Sequence, residues 1–286
     1  QMCIRDSNFG VDNRQQLYRF MGDVFYPEDT SFDALEIPSE AEVKSYDDLV
    51  VPLPEDNHSF NSIALGLMKD LPKPQTGSLA EQRKRLLEII HAKEYTATAK
   101  KVGGEGGVVH FQFSLGRDWT VPATVFTPPK AKVTTLLIAD EGRAKQTAAV
   151  TQLMEDGHRV VALDPFFFGE SKIKSRDFLH VILMHAVGER ALGVQAGQIV
   201  AIADWAAEAY GEPVGLQSVG PRLSVAARLA AVKTEAIQSI TLHDPMQSLK
   251  EVLTENRGAN HLPEMMCFGL LEAFDLKQIE ALKFNP

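Results

Sequence analysis

Two short apolar runs constrain the fold most. "TTLLIAD" (Thr134–Asp140) and "HRVVALD" (His158–Asp164) are continuous in hydrophobicity, and each leads straight into a loop. A strand with one wet face alternates apolar and polar residues, whereas a continuous run suits a strand covered on both faces, as in a parallel sheet. A helical pattern at roughly Ala144–Asp156 lies between the two runs. Strand, helix and parallel strand in that order make a right-handed crossover unit.

The same alternation continues on both sides. "VVHFQFSL" (Val108–Leu115) alternates as a half-buried strand, and "VPATVFTPP" (Val121–Pro129) is a second strand ended by two prolines. A long helical stretch at about Arg176–Tyr210 precedes "VGLQSVGPRLSVAARLAAV" (Val214–Val232), which reads as buried strand, sharp turn and Ala-rich helix. "AIQSITLHD" (Ala236–Asp244) adds a strand. The expected architecture is therefore α/β: a mostly parallel, doubly wound sheet in a three-layer α-β-α arrangement. No internal repeat is visible.

The first 77 residues read differently. Asp12–Phe25 places Leu17, Phe20, Met21 and Val24 at helical spacing. Residues 29–77 read as a linker that is acidic, Pro-containing and poorly periodic apart from a short helical pattern at Phe60–Leu71. "SLAE" at Ser78 is a capping box that opens a helix to Lys93, where the main domain, 78–286, begins. Residues 1–7, "QMCIRDS", match nothing around them and resemble an artefactual start of a metagenomic fragment, so they are excluded from fold reasoning. The native N-terminus is then expected to lie upstream, and the compartment is not read from this chain.

A net charge of -9 argues against nucleic-acid or anionic-membrane partners. The longest apolar stretch, "FLHVILMHAV" (Phe178–Val187), is too short for a membrane span and carries two histidines. Cys3 and Cys267 make no disulfide framework, and Cys267 reads as a small core residue. No phosphate-binding glycine motif is present, so no nucleotide cofactor is expected. His180 and His185 are five apart, off the spacing of a helical zinc pair, and no metal is expected.

"VVALDPFFFGES" (Val160–Ser171) carries a resemblance. It resembles the "D-x-x-G-x-G-x-S" segment of α/β-hydrolases: Asp164, Gly169, Glu170 and Ser171 match, and Phe167 stands where the first Gly usually is. "TTLLIADEGR" resembles the third strand and the loop that supplies an oxyanion-hole N–H in that family. "AVGERALGVQAGQIVAIADWA" (Ala186–Ala206) resembles the helix before the nucleophile strand of acetylxylan-esterase-like and dienelactone-hydrolase-like members. The resemblance covers roughly residues 80–286 and implies ester hydrolysis by acyl transfer on a small-molecule or carbohydrate ester.

It also implies a nucleophile elbow, for which two registers compete. Centring on Ser218 leaves bulky Leu216 at -2 and a short strand. Centring on Arg222 places Gly220 at -2 and Ser224 at +2 after a fuller strand, and this register is favoured; Ser218 and Ser224 stay weak candidates for a nucleophile. Arg222 cannot act as a nucleophile because it stays protonated. Its alternatives are to bind a carboxylate or phosphate ligand or to pair with Asp140 or Glu141. Asp244 and His243 are the weak candidates for triad acid and base, and His261 reads as a loop residue. Phe166 and Phe167 are candidate pocket-wall residues. "FDLKQIEALKFNP" (Phe274–Pro286) resembles the family segment that leads into the strand before the acid and His. A domain cut before its last strands is thus expected. "NFGVDNRQQLYRFMGDVF" (Asn8–Phe25) resembles the tail helix of a preceding hydrolase domain, with 8–28 as that tail. Two readings stand: an esterase-like domain with an incomplete triad, or a non-catalytic hydrolase-like domain that binds an anionic or carbohydrate ligand or supports an adjacent hydrolase domain of the same parent chain.

Overall fold

The computed structural model describes residues 10–284. Residues 1–7 and Cys3 lie outside them, as does Pro286. The chain divides into two compact units, 1–57 and 58–286.

In the smaller unit, α1 (Val11–Phe25) is amphipathic as its spacing predicts, yet none of its residues is buried. Arg14 pairs with Glu36 at 2.7 Å, and the rings of Tyr26 and Phe32 stack.

The larger unit takes in part of the segment read as linker. Here α2 (Phe60–Met68) is capped by the Ser59 side chain. Lys73 N donates to the Glu272 carbonyl at 2.9 Å and Lys73 Nζ to its carboxylate at 2.8 Å, which anchors the segment far along the chain. Ser78 and Glu81 form the expected reciprocal capping box at the start of α3 (Leu79–Ile89).

Seven strands follow: β1 (Ala97–Gly103), β2 (Val108–Leu115), β3 (Trp119–Phe126), β4 (Val133–Ala139), β5 (His158–Leu163), β6 (Val214–Val219) and β7 (Ile237–His243). Their order in the sheet is β1-β2-β3-β5-β4-β6-β7. β5, β4, β6 and β7 are parallel, while β1, β2 and β3 join as an antiparallel meander that meets β5. The sheet is thus mixed, with β1 beyond the strands read from sequence. That strand was illegible because Ala97 and Ala99, not large apolar residues, form its half-buried face.

α4 (Thr147–Glu155) covers β4 and β5 on one face, through Val150 and Leu153 against Leu137, Val160 and Ala162. The opposite face carries most of the core. The stretch read as one helix is broken into α5 (Asp177–Ala186) and α6 (Ala191–Tyr210), with Gly188 at φ 83 between them. α6 is buried without interruption from Ala191 to Ala203. Beside it, α7 (Pro221–Lys233) is buried from Leu223 to Val232. Ala226, Ala227, Ala230 and Ala231 leave this layer little side-chain volume, so backbones can approach closely. α8 (Glu251–Thr254), α9 (Leu270–Ala273) and α10 (Leu276–Phe284) complete the described chain.

Candidate functional site

The turn from β6 into α7 lies at the carboxyl end of the parallel strands, where ligand sites of open α/β sheets form. Its tip is Gly220. This residue follows the last strand residue, Val219, and caps α7 with φ 102 and ψ 159, a backbone region that is essentially glycine-only. Its N–H donates to the His243 carbonyl at 2.9 Å. A Cβ on Gly220 would stand 2.6 Å from Asp140 Cγ, inside any tolerable contact. Pro221 at the first helical position suits its missing N–H.

Neither register weighed in sequence matches this turn. Arg222 lies in the first turn of α7, two residues past the tip, and Ser218 lies inside β6, two residues before it. The frame is therefore Ser218-Val219-Gly220-Pro221-Arg222, with a residue lacking a side chain at its centre. The missed signal was the Gly-Pro pair: Gly supplies the positive φ and Pro starts the helix.

The helix N-terminus is occupied from within. Asp140, just past the end of β4, accepts from Arg222 N at 2.9 Å and Leu223 N at 2.8 Å. These are backbone donors of the first turn, where an anion gains both hydrogen bonds and dipole stabilisation. Burial pushes the Asp140 carboxyl above its ordinary value, against the opposing pull of the two N–H groups and of Arg222. A carboxyl raised in the folded state contributes most stability when protonated, and that contribution is lost as pH rises through the raised value. We expect the Tm of Asp140→Asn to gain on that of the parent as pH rises above about 4, the unfolded carboxyl range. Thermal melts of both proteins against pH check this; a Tm difference, Asp140→Asn minus parent, that falls with rising pH would refute it.

The Arg222 guanidinium does not pair with Asp140 or Glu141. It forms a two-pronged ion pair with Glu264, through Nε to Oε1 and through Nη2 to Oε2 at 2.7 Å. The Glu264 side chain is wholly buried. Phe168 lies beneath the guanidinium, 4.7 Å from Cζ to ring centroid. Glu264 escaped the sequence reading, although an acid inside the apolar "HLPEMMCFGLL" calls for a buried cation. Glu141 is exposed.

The remaining candidates do not converge. Ser218 is fully buried, and its Oγ has no hydrogen-bond partner among the described residues. It pairs in register with Leu242, so its side chain and that of His243, opposite Val219, lie on different faces. Asp244 is exposed at φ 50 just past β7, and His261 is exposed in a loop. Ser224 Oγ donates to the Pro221 carbonyl at 2.7 Å and accepts from Met246 N at 3.2 Å, a tie between the helix and the loop after β7. Cys267 is buried, and burial pushes its thiol up to about 12. Among the described residues no group of three or more His, Cys, Asp or Glu side chains could hold a metal ion.

The "DPFFFGES" loop is closely built. Asp164 is buried, pairs with Arg143, and accepts from Arg143 N at 2.7 Å and Glu170 N at 3.0 Å. Gly169 is obligatory here, at φ 52, because a Cβ would overlap the Asp164 carboxylate. Phe166 is held on both sides by buried glutamines: its N–H donates to Gln198 at 2.8 Å and its carbonyl accepts from Gln195 at 3.0 Å. Phe167 takes φ 77, which explains the glycine usual at that position, and is buried in the core. All three phenylalanines pack in the main core, and Phe168 also carries the Arg222 guanidinium over its ring.

No family model and no curated protein sequence matches the chain. Solved structures do. A Bacteroides fragilis protein assigned as an acetyl xylan esterase superposes with TM-score 0.61 at 12% identity, over 82% of this chain and 75% of that one. Acetyl xylan esterase 1 from Thermoanaerobacterium sp. JW/SL YS485 superposes with TM-score 0.50 at 13% identity, over 76% of this chain and 79% of that one. At these identities the likeness is one of fold. The fold is of α/β-hydrolase type, in the form found in acetyl xylan esterases.

Proposed function

We propose that this chain is a hydrolase-like domain that keeps the esterase frame but performs no acyl transfer at its elbow, and that it serves as a binding or supporting domain. The observation that carries this is Gly220 at the tip of the turn, with the Asp140 carboxylate against the space a side chain there would need. Acyl transfer needs an activatable hydroxyl at that tip, a base within hydrogen-bond reach and free N–H donors for the oxyanion. Gly220 offers no hydroxyl. Asp140 already accepts from two helix amides. Arg222, engaged by Glu264, is ill suited to recruit an external anion, so a neutral ligand or a neighbouring domain is the better occupant of this role.

A second reading, hydrolysis of an acetylated carbohydrate as the names of the two similar structures suggest, rests on the unpartnered Ser218 hydroxyl. Its full burial in β6 weighs against it. Initial rates on p-nitrophenyl acetate and on acetylated xylo-oligosaccharides separate the two. We expect rates equal to buffer for the parent and for Ser218→Ala. A rate that Ser218→Ala or Ser224→Ala abolishes would overturn the proposal.

A further inference from the structure

A cleft of about 1100 Å³ opens beside the sheet, and neither Asp140, Gly220, Arg222 nor Glu264 lines it. Much of its lining lies on the α4 face of the sheet. One wall is the outer side of the meander, where His110 and Gln112 of β2 stand opposite Thr124 and Pro122 of β3 and share their face. The other wall is α4, through Val150, Thr151 and Met154. Ala162 of β5, next to Thr124 in register, is a floor residue whose small side chain gives the cleft depth. Trp119 and Phe166, edge to face at 4.7 Å between centroids, join the lining from the other face, where both pack with the main core.

The charges of this lining are already spent. Arg143 pairs with Asp164 and, at 2.9 Å, with Glu170. These two are the Arg and Glu of the lining, and no Lys or Asp belongs to it. An ionic ligand would therefore lose hydration without gaining a partner. The polar groups left are the Gln112 amide, the hydroxyls of Thr120, Thr147 and Thr151, and the His110 imidazole, whose Nδ1 is engaged by Thr124 Oγ1 at 3.1 Å. They stand around aromatic and aliphatic surface. The volume lies just above the usual range of ligand pockets, roughly 300–1,000 Å³.

We infer that this cleft is a binding site for an uncharged, mainly apolar molecule of two or three rings with a hydroxyl or carbonyl group at its edge. The ring system stacks toward Trp119 and Phe166, and the edge group meets the Gln112 and threonine side. The site works without the elbow, so it stands whether or not the elbow is catalytic.

Fluorescence titration of the full chain with neutral N-phenyl-1-naphthylamine tests it, with anionic 8-anilinonaphthalene-1-sulfonate and xylobiose as the other arms. We expect saturable 1:1 binding of the neutral probe, at least tenfold weaker binding of the anion, and no displacement by the sugar. Thr151→Trp and Gln112→Trp place bulk in the cleft from exposed positions on opposite walls. Each should weaken the neutral probe at least tenfold while far-UV circular dichroism and the melting temperature stay at parent values. Probe affinity unchanged in both folded variants, or equal affinity for the anion, would overturn the inference. Displacement by xylobiose would assign the cleft to a sugar and overturn the ligand class.

Discussion

Arg222→Ala is expected to be the most damaging single truncation in the elbow region. It leaves the wholly buried Glu264 carboxylate without its two-pronged partner and removes the cation above Phe168. Breaking a buried pair from one side costs about 3–5 kcal/mol, because the remaining charge stays desolvated and alone. Arg222→Lys should recover little, since an ammonium cannot reproduce the planar fork. The double variant Arg222→Met/Glu264→Leu should recover most of the loss, because two apolar residues replace the pair together. Urea unfolding of the four proteins checks this. A loss below about 1 kcal/mol for Arg222→Ala, the range of a solvent-screened pair, would show that the pair is not buried as described.

Gly220→Ser tests the elbow itself. It restores a hydroxyl where hydrolases of this fold carry their nucleophile, and it should yield a less stable protein without esterase activity. Two costs add. A side chain at φ 102 is strained by about 1–3 kcal/mol. The new Cβ meets Asp140 at 2.6–2.8 Å, an overpacking of about 1–3 kcal/mol. Adding Asp140→Gly removes the second cost and should return part of the stability. Ester hydrolysis should still be absent, because His243 and Asp244, the candidates for base and acid, are both solvent-exposed at the end of β7. A stable and active Gly220→Ser protein would show that the rest of the machinery is already in place.

The fold was legible because its signals are local and repeat. Continuous runs at β4 and β5, the alternation of β2 and the Ala-rich α7 each follow from which faces are covered. The capping box at Ser78 read out correctly for the same reason, since its partners are three residues apart. β1 was hidden because alanine supplies its inner face, and the break at Gly188 because the flanking sequences are both helical. The site was less legible. The sequence puts a serine or an arginine at the elbow's tip, with Gly220 as a small flanking residue. Only the backbone, with its positive φ, identifies it as the centre. Glu264 lies 42 residues from Arg222, and Asp140 lies 82 residues from it. Partners so distant in sequence meet only through the tertiary fold. The loop from Asp164 to Ser171 lay between these cases: its residues were recognised, but the left-handed backbone of Phe167 appears only in the structure.

The claim that the elbow carries no nucleophile is tested most directly by intact-mass measurement after prolonged incubation with an alkyl fluorophosphonate. An unchanged mass is expected for the unsubstituted chain. An adduct mapped to a serine between Val214 and Ser224, and lost in Ser218→Ala or Ser224→Ala, would contradict it.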